Sequence, residues 1–337
     1  MNNPNAVPAG APNEINQPAP AGKYLVDSYE DWAKGEGVPV HTGGFVDLLT
    51  VDVKPWDRFG LNGAFVHLAG RDDFLSIFLN ELPPNSGSTP QQHLYEEVCY
   101  VLSGRGSTEF VAPDGHTQVI EWAPKSLFAL PMNARYRHRN VSAEPARFAA
   151  INDMRYLFNL YRSEKFVFET PLRFAERHRE IEAVTDLRNA PAGPLTLAKG
   201  TISSDVIELA PGTYRAASRQ MFGAHFFGVD GEGYMLAWPE GAEDFTRVDW
   251  RHGIVAAAPG MQFCQQFNAG AGPARYLDVQ LGSQMYPTFR YRRAAYGDTS
   301  VYAAGSATIP FAGQDPRIHK KWLEAIAAKG VTPRMQG

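Results

Sequence analysis

Four side chains that can move protons or bind metal ions lie at informative spacings in the first half of the chain. His93 and Glu97 are four residues apart, and Tyr136 and His138 are two residues apart further along. Imidazole and carboxylate groups serve as metal ligands and as general acids or bases, and a phenol can donate to an oxygen that gains charge. Because alternate side chains of a strand share a face, Tyr136 and His138 should point the same way.

The sequence around these residues recurs about 128 residues later. The recurring landmarks are Gly104, Trp122, Pro131 and Arg147, which correspond to Gly231, Trp250, Pro259 and Arg275. Self-similarity held over several landmarks indicates a duplicated structural unit. The sequence therefore predicts two domains of one architecture.

Short strand-like runs separated by turn formers must position the candidate residues. In the first copy the predicted strands are 74–82, 98–103, 106–112, 117–122, 126–130, 135–140 and 146–152. Many short strands at regular intervals are typical of a sandwich or barrel. A helix is predicted near the C-terminus, where Asp315 can cap it, Pro316 suits its first turn, and Ile318, Trp322 and Ile326 fall near one face. The expected fold is all-β with a short C-terminal helix.

Composition limits the possible partners. A chain of 337 residues with 44% hydrophobic content suits two ordinary domains. A formal charge of −4 and a pI near 6.2 give no basic field for nucleic acid. No apolar run approaches the ~18 residues of a membrane span, and the N-terminus lacks a secretory pattern, so we expect a cytoplasmic protein with no membrane contact. Cys99 and Cys264 are expected to be reduced and buried.

The order of several residues in the first copy carries a family resemblance: His93, Glu97, Gly104, Pro131 and Asn140. They resemble the two consensus motifs of the cupin superfamily, and the two copies together resemble a bicupin, with a layout most similar to the gentisate dioxygenase type. The resemblance covers about residues 60–155 and 200–285 and implies two tandem jelly-roll β-barrels. Cupins include dioxygenases, decarboxylases, isomerases, lyases and binding proteins, so the resemblance is specific to fold and not to reaction.

A division of the chain follows from these observations. We expect a disordered tail at 1–22, an N-terminal barrel with its extension at 23–165 and a linker at 166–197. A C-terminal barrel at 198–290 and an extension with the helix at 291–337 complete the chain. Jelly-roll proteins often pair through strand exchange or sheet extension, which predicts a homo-oligomer, most simply a homodimer.

The family resemblance implies a metal site in the N-terminal barrel, with departures. Cupins supply His-x-His and a Glu from the first motif and a His from the second, and these bind one metal. Here His93 and Glu97 are retained, while Gln91 and Tyr136 replace the other two histidines. His138 can restore a third ligand, so the resemblance implies a divalent metal such as Fe(II) on His93, Glu97 and His138. Gln91 could add a weak carbonyl ligand, and Tyr136 could act as an acid or oxyanion donor.

Substrate contacts are predicted beside this site. The candidates are Gln91, Tyr95 and Cys99. Tyr95 lies between His93 and Glu97, where its ring could pack on a substrate. Ordinary core packing is the alternative for Tyr95.

The second copy retains no family ligand. Ser218, Gln220 and Ala224 stand at the positions of the first-motif ligands, and Cys264 stands at that of the second motif. We expect this barrel to be metal-free and structural. A polar pocket of Ser218, Gln220, Cys264 and Gln266 could still bind a ligand.

Three functions remain open for a protein whose expected partner is a small molecule. The first is a dioxygenase-like oxidoreductase that uses the metal to act on an organic acid or phenol. The second is a metal-independent isomerase, cyclase or lyase in which Glu97 or His93 acts as base and Tyr136 as acid. The third is a non-catalytic ligand-binding bicupin, in which His93 and Glu97 are a satisfied buried pair.

Overall fold

The computed structural model describes residues 27–69, 75–112, 115–172, 174, 182–198, 200–219, 224–259, 262–282 and 308–335. The predicted tail at 1–22 lies outside these ranges, and so does the first part of the C-terminal extension, 291–307. Strands form most of the regular structure that is described, as the sequence predicts. No described helix has the length and apolar character needed to cross a membrane.

The N-terminal barrel consists of a large and a small sheet. Its strands are β1 Val40–Gly43, β3 Lys54–Trp56, β4 Leu61–Leu68, β5 Ser76–Leu82, β6 Glu97–Ser103, β7 Gly106–Val111, β8 Thr117–Trp122, β9 Leu127–Leu130, β10 Arg135–Asn140, β11 Ala146–Asn152 and β12 Glu182–Val184. The large sheet has the order β1-β4-β5-β11-β6-β9-β12, with β3 beside β4, and the small sheet has the order β10-β7-β8. The predicted strands 117–122, 135–140 and 146–152 are confirmed residue for residue.

The C-terminal barrel repeats this plan with two sheets. Its strands are β2 Phe45–Asp47, β13 Gly193–Leu195, β14 Ile202–Leu209, β15 Ala217–Arg219, β16 Ala224–Asp230, β17 Glu232–Trp238, β18 Thr246–Arg251, β19 Ile254–Ala256, β20 Phe263–Asn268, β21 Ala274–Leu281 and β22 Thr308–Ile309. The sheet orders are β13-β14-β21-β16-β19-β2 and β18-β17-β20-β15-β22. The expected all-β fold of two tandem jelly-roll barrels is confirmed.

The two barrels exchange short strands within the chain. β2, from the N-terminal extension, pairs with β19 of the C-terminal barrel. β12, from the segment expected to be a linker, pairs with β9 of the N-terminal barrel, and β13 from the same segment pairs with β14. Each exchanged strand covers a sheet edge that would otherwise be exposed. Assembly of whole chains into a homo-oligomer stays a prediction.

An apolar layer lies between the barrels. Side chains on the outer faces of the large sheets form one buried cluster, including Val98 and Tyr100 on β6 and Leu277 and Val279 on β21. Successive side chains of a strand face opposite ways, so Cys99 and Val101 enter a separate cluster inside the N-terminal barrel. Side chains on one face of β6 thus pack between the barrels, and side chains on its other face line the interior of the N-terminal barrel.

Four α-helices lie outside the sheets in the described ranges: α1 Ser28–Gly35, α2 Met154–Tyr161, α3 Glu164–Glu169 and α4 Pro316–Ala327. The predicted C-terminal helix, α4, is confirmed: the Asp315 side chain accepts from Arg317 N, and Ile318, Trp322 and Ile326 are buried. The sequence analysis did not predict α1, α2 or α3. These helices are six to eight residues long and are stabilised mainly by packing.

Candidate active site

The strand β10 brings two predicted residues into the N-terminal barrel. Tyr136 and His138 are 4% and 1% exposed. Arg135 and Arg137, which alternate with them along the strand, face solvent. The predicted common orientation of Tyr136 and His138 is therefore confirmed. Glu97, the first residue of β6, is also buried and lies with Cys99 on the inward face.

His93 is held from three directions. Its Nδ1 lies 2.9 Å from the carbonyl oxygen of Tyr95, and its Nε2 lies 2.8 Å from the hydroxyl oxygen of Tyr136. The rings of His93 and Tyr95 are parallel, with centroids 3.6 Å apart. Because a carbonyl oxygen only accepts, Nδ1 carries the proton of the neutral imidazole, and Nε2 accepts from Tyr136.

The Gln91 amide completes this hydrogen-bond chain. Its oxygen lies 3.0 Å from the Tyr136 hydroxyl, and its buried nitrogen has no hydrogen-bond partner within the described ranges. Tyr136 has one proton, which it donates to His93, so the Gln91 group that faces it must be a donor. Rotating the amide by half a turn places Nε2 there, where it can donate to the Tyr136 oxygen. The chain then runs from Gln91 through Tyr136 and His93 to the Tyr95 carbonyl.

Burial keeps the site uncharged at neutral pH. It raises the pKa of Glu97 to about 8 and lowers the pKa values of His93 and His138 to about 3 each. Burial likewise raises the pKa of Tyr136 and of Cys99 well above their ordinary values. Glu97 Oε1 lies 3.9 Å from His93 Nε2 and 3.5 Å from Cys99 Sγ, which donates to it. A protonated carboxyl thus lies beside a neutral imidazole.

His138 is hydrogen-bonded to a different residue. Its Nδ1 lies 2.7 Å from the hydroxyl oxygen of Thr108, which also accepts from Trp122 Nε1 at 3.0 Å. Thr108 faces His138 directly across the β10–β7 pair. Sequence reasoning missed Thr108, because only the strand register shows that the two residues are opposite.

The donor groups of this site differ from the metal site that the family resemblance implies. In the described ranges, no group of three or more His, Cys, Asp or Glu side chains is arranged to hold a metal ion. His93 Nε2 accepts from Tyr136, and His138 Nδ1 is bonded to Thr108. The residues present therefore supply the pair His93 and Glu97 rather than a ready triad. The ligand roles of His93, Glu97 and His138 stay predictions.

A segment that we call the strap, Ser163–Leu172, covers the site beside Tyr95. It contains α3, and Phe168 of this helix contacts the ring of Tyr95 with centroids 6.2 Å apart. Leu94 N donates to the Val167 carbonyl at 2.8 Å. The strap thus packs on the residues that hold His93, and no sequence motif marks it.

Asn133 ties the far end of the strap to the barrel. Its side-chain nitrogen donates to the carbonyls of Thr170 and Leu172, and its side-chain oxygen accepts from Gln92. Asn133 has a φ of +57°, a left-handed conformation that asparagine tolerates better than most residues. Its own N–H donates to the carbonyl of His93.

The second barrel has a different interior. Ser218 and Cys264 are paired across β15 and β20, and Gln266 accepts from Trp250 Nε1 at 3.1 Å. Gln220 lies outside the described residues. The expectation that both cysteines are buried is confirmed for Cys99 and wrong for Cys264, which is half-buried on β20. The metal-free character of this barrel stays a prediction.

No family model and no curated protein matches the sequence. Among solved structures, the chain is similar to an oxalate decarboxylase studied for its substrate binding mode and reaction specificity, at 14% identity and a TM-score of 0.47, covering 70% of this chain and 76% of that one. Oxalate decarboxylase from Bacillus subtilis at pH 4.6 is similar at 15% identity and a TM-score of 0.46, covering 70% of this chain and 75% of that one.

A third structure, from work on the Mn(II) centres of the Bacillus subtilis oxalate decarboxylase, gives 16% identity, a TM-score of 0.42 and coverages of 62% and 69%. Likeness at this level carries no argument about residues, metal or reaction. The predicted layout of the gentisate dioxygenase type stays a prediction.

Proposed function

We propose that the N-terminal barrel catalyses proton transfer on a small organic molecule without a bound metal, as an isomerase, cyclase or lyase. The observation that carries this proposal is the fully buried Glu97 carboxyl, whose pKa is raised to about 8 and which lies 3.9 Å from His93 Nε2. Strongly shifted pKa values cluster at functional sites, and a general acid or base works best when its pKa is near the working pH.

Each group in the hydrogen-bond chain has a role in this chemistry. In the minority of molecules in which Glu97 is ionised at neutral pH, a fraction that grows as the pH approaches 8, the carboxylate takes a proton from a carbon next to a substrate carbonyl and returns it to a neighbouring carbon, so that no proton is consumed overall. Tyr136 donates to the carbonyl oxygen as negative charge develops there, in place of its bond to His93. Gln91 orients Tyr136, and the Tyr95 carbonyl keeps the proton of His93 on Nδ1.

The metal-dependent oxygenase is the second candidate. One observation favours it: the Nδ1 bond to the Tyr95 carbonyl leaves Nε2 of His93 as the acceptor nitrogen, an orientation that metal-bound histidines also have. Two protein ligands are fewer than the three that an open Fe(II) site uses. Metal-independent proton transfer is therefore the better supported of the two.

Deuterium exchange tests the leading proposal directly. Wild-type protein purified without a tag is depleted of metal with a chelator, and its metal content is measured. It is then incubated in D2O with a panel of small oxo acids, lactones and phenols, and proton NMR records loss of carbon-bound protons. We expect catalysed exchange in at least one compound and a loss of about 100-fold or more in Glu97→Gln. Arg139→Gln, on the outer face of the same barrel, is the matched control and should exchange normally.

Three results would contradict the proposal. Turnover that disappears on metal depletion and returns with added Fe(II) or Mn(II) would support the oxygenase or another metal enzyme. Exchange that is equal in wild type and Glu97→Gln would remove that carboxyl from the chemistry. Tight binding of a compound with neither exchange nor turnover would support a binding protein.

A further inference from the structure

A cavity of about 340 Å³ lies at the C-terminal helix, far in sequence from the proposed site. The helix α4 covers the outer face of β17 and β18, and the cavity remains between them. Its apolar lining comes from Leu236, Phe245 and Ala325, and its charged lining from Arg247, Lys321 and Glu324. Ligand pockets commonly combine apolar walls with a few polar groups in this way.

Tyr234 also lines the cavity and carries a buried hydroxyl group. The residue is fully buried, and none of the residues that the structure describes forms a hydrogen bond with the hydroxyl. The ring stacks on Phe267 with centroids 4.5 Å apart, and the Arg247 guanidinium lies 4.0 Å from its centroid. A buried hydroxyl that forms no hydrogen bond is unfavourable, so this group points to a missing acceptor.

The duplication provides an internal comparison. The register of each hairpin aligns Tyr234, Leu236 and Arg247 of the second copy with Ser107, Glu109 and Val119 of the first. In the first copy this face is open to solvent, with Val119 49% exposed. In the second copy, Tyr234 and Leu236 replace polar residues, Arg247 replaces the exposed valine, and α4 packs over this face. The cavity is therefore a property of the second copy and not of the shared fold.

The charges around the cavity define the ligand. Arg247 is bonded to Asp249, which is exposed, whereas Lys321 forms no ion pair with any residue that the structure describes. Lys321 and Tyr234 both line the cavity and both carry a donor for an anionic group, while Glu324, exposed on the same helix, repels a second negative charge. Leu236 and Phe245 offer an apolar surface for the rest of the molecule.

We infer that this cavity binds a small monocarboxylate with an aromatic or apolar body. The carboxylate accepts from Tyr234 and Lys321, and the body packs against Leu236 and Phe245. The site is independent of the N-terminal barrel and of its chemistry.

Titration with benzoate, measured by isothermal calorimetry, tests the inference. We expect saturable binding to wild type and a loss of about tenfold or more in Tyr234→Phe and in Lys321→Gln, because each removes one donor to the carboxylate. Lys320→Gln, on the same helix but outside the cavity, should bind as wild type does. Benzamide, which has the same shape without the charge, should bind more weakly than benzoate.

The outcomes separate this site from the N-terminal one. Binding that survives in Glu97→Gln and is lost in Lys321→Gln supports the cavity. No saturable binding of benzoate to wild type, or equal binding in wild type, Tyr234→Phe and Lys321→Gln, would overturn the inference. Tyr234→Phe keeps the stacked ring, so loss of folding does not confuse the result.

Discussion

At the scale of single residues, Glu97, His93 and His138 make the stability of the fold depend on pH in opposite directions. Glu97 keeps its proton up to about pH 8 in the folded state, whereas an unfolded glutamate loses it near its ordinary pKa of 4.5. Its contribution is complete below pH 4.5 and is lost as the pH rises towards 8. The two histidines, whose pKa values are lowered from 6.5 to about 3, favour folding above pH 6.5 and lose this contribution as the pH falls.

Glu97→Gln isolates the first of these effects. Between about pH 5 and 8, the free energy of unfolding of wild type should fall relative to the variant by about 1.4 kcal/mol per pH unit, because one extra proton is held by the folded state. Urea unfolding at a series of pH values measures this difference. Parallel curves for the two proteins would mean that Glu97 ionises normally and would remove the observation on which the proposed function rests.

Tyr136 is predicted to stabilise the site through its single hydroxyl group. Tyr136→Phe leaves Gln91 and His93 Nε2 without a partner in a dry interior, so we expect a loss of about 1–3 kcal/mol in the free energy of unfolding. Tyr161→Phe, at a side chain that is 51% exposed, should change stability by less than about 0.5 kcal/mol. Equal, small effects would show that the hydrogen-bond chain is not formed in solution.

At the scale of elements, the strap depends on a left-handed asparagine and on an ion pair. Arg58 binds Glu36 and Glu164, the first residue of α3, with N–O distances of 2.7 and 2.5 Å, and its guanidinium lies 4.8 Å from the Phe168 ring. Asn133 holds the other end. The strap is therefore held against Tyr95 by separate contacts, each of which a single substitution can remove.

Asn133→Gly should loosen the strap without straining the backbone. Glycine accepts the φ of +57° but removes the side-chain bonds to the Thr170 and Leu172 carbonyls. We expect faster amide hydrogen exchange over 163–172, measured by mass spectrometry. Asn85→Gly, at an exposed position with a φ of +51°, is the matched control. Unchanged exchange in the strap would mean that α3 packing alone holds it.

The same elements show what could be predicted from the sequence. Strands such as β8, β10 and β11 could be predicted because residues at an interior and an exterior face alternate along them. The exchanged strands β2 and β12 are three residues long and form only because a strand far away in the sequence supplies a partner, which no local pattern records. At the site, the common direction of Tyr136 and His138 followed from alternation, and only their burial shows that this direction is inward. Its bond to Thr108 depends on register, and the proton on Glu97 depends on burial.

At the scale of the whole molecule, a buried carboxylate links the two barrels. Glu96, the residue before β6, accepts from the backbone N–H groups of Gly200, Thr201 and Ile202 at the start of β14, with distances of 2.8, 2.5 and 2.9 Å. Asp153, at the start of α2, lies 2.6 Å from the Thr201 hydroxyl, and burial raises its pKa to about 7. A protonated Asp153 can donate to Thr201, whose own proton then goes to Glu96.

Glu96→Gln tests whether the barrels behave as one folding unit. The amide keeps the shape of the carboxylate but replaces an acceptor with a donor that faces backbone donors, so we expect a loss of about 3 kcal/mol or more in stability. Because the apolar layer and the exchanged strands β2 and β12 remain, calorimetry should still record one transition at a lower temperature. Glu208→Gln, which breaks the partly exposed pair with Arg275, should cost less than about 1 kcal/mol. Two separate transitions in wild type would contradict the shared core. Two transitions in Glu96→Gln alone would mean that this one carboxylate, rather than the apolar layer, couples the barrels.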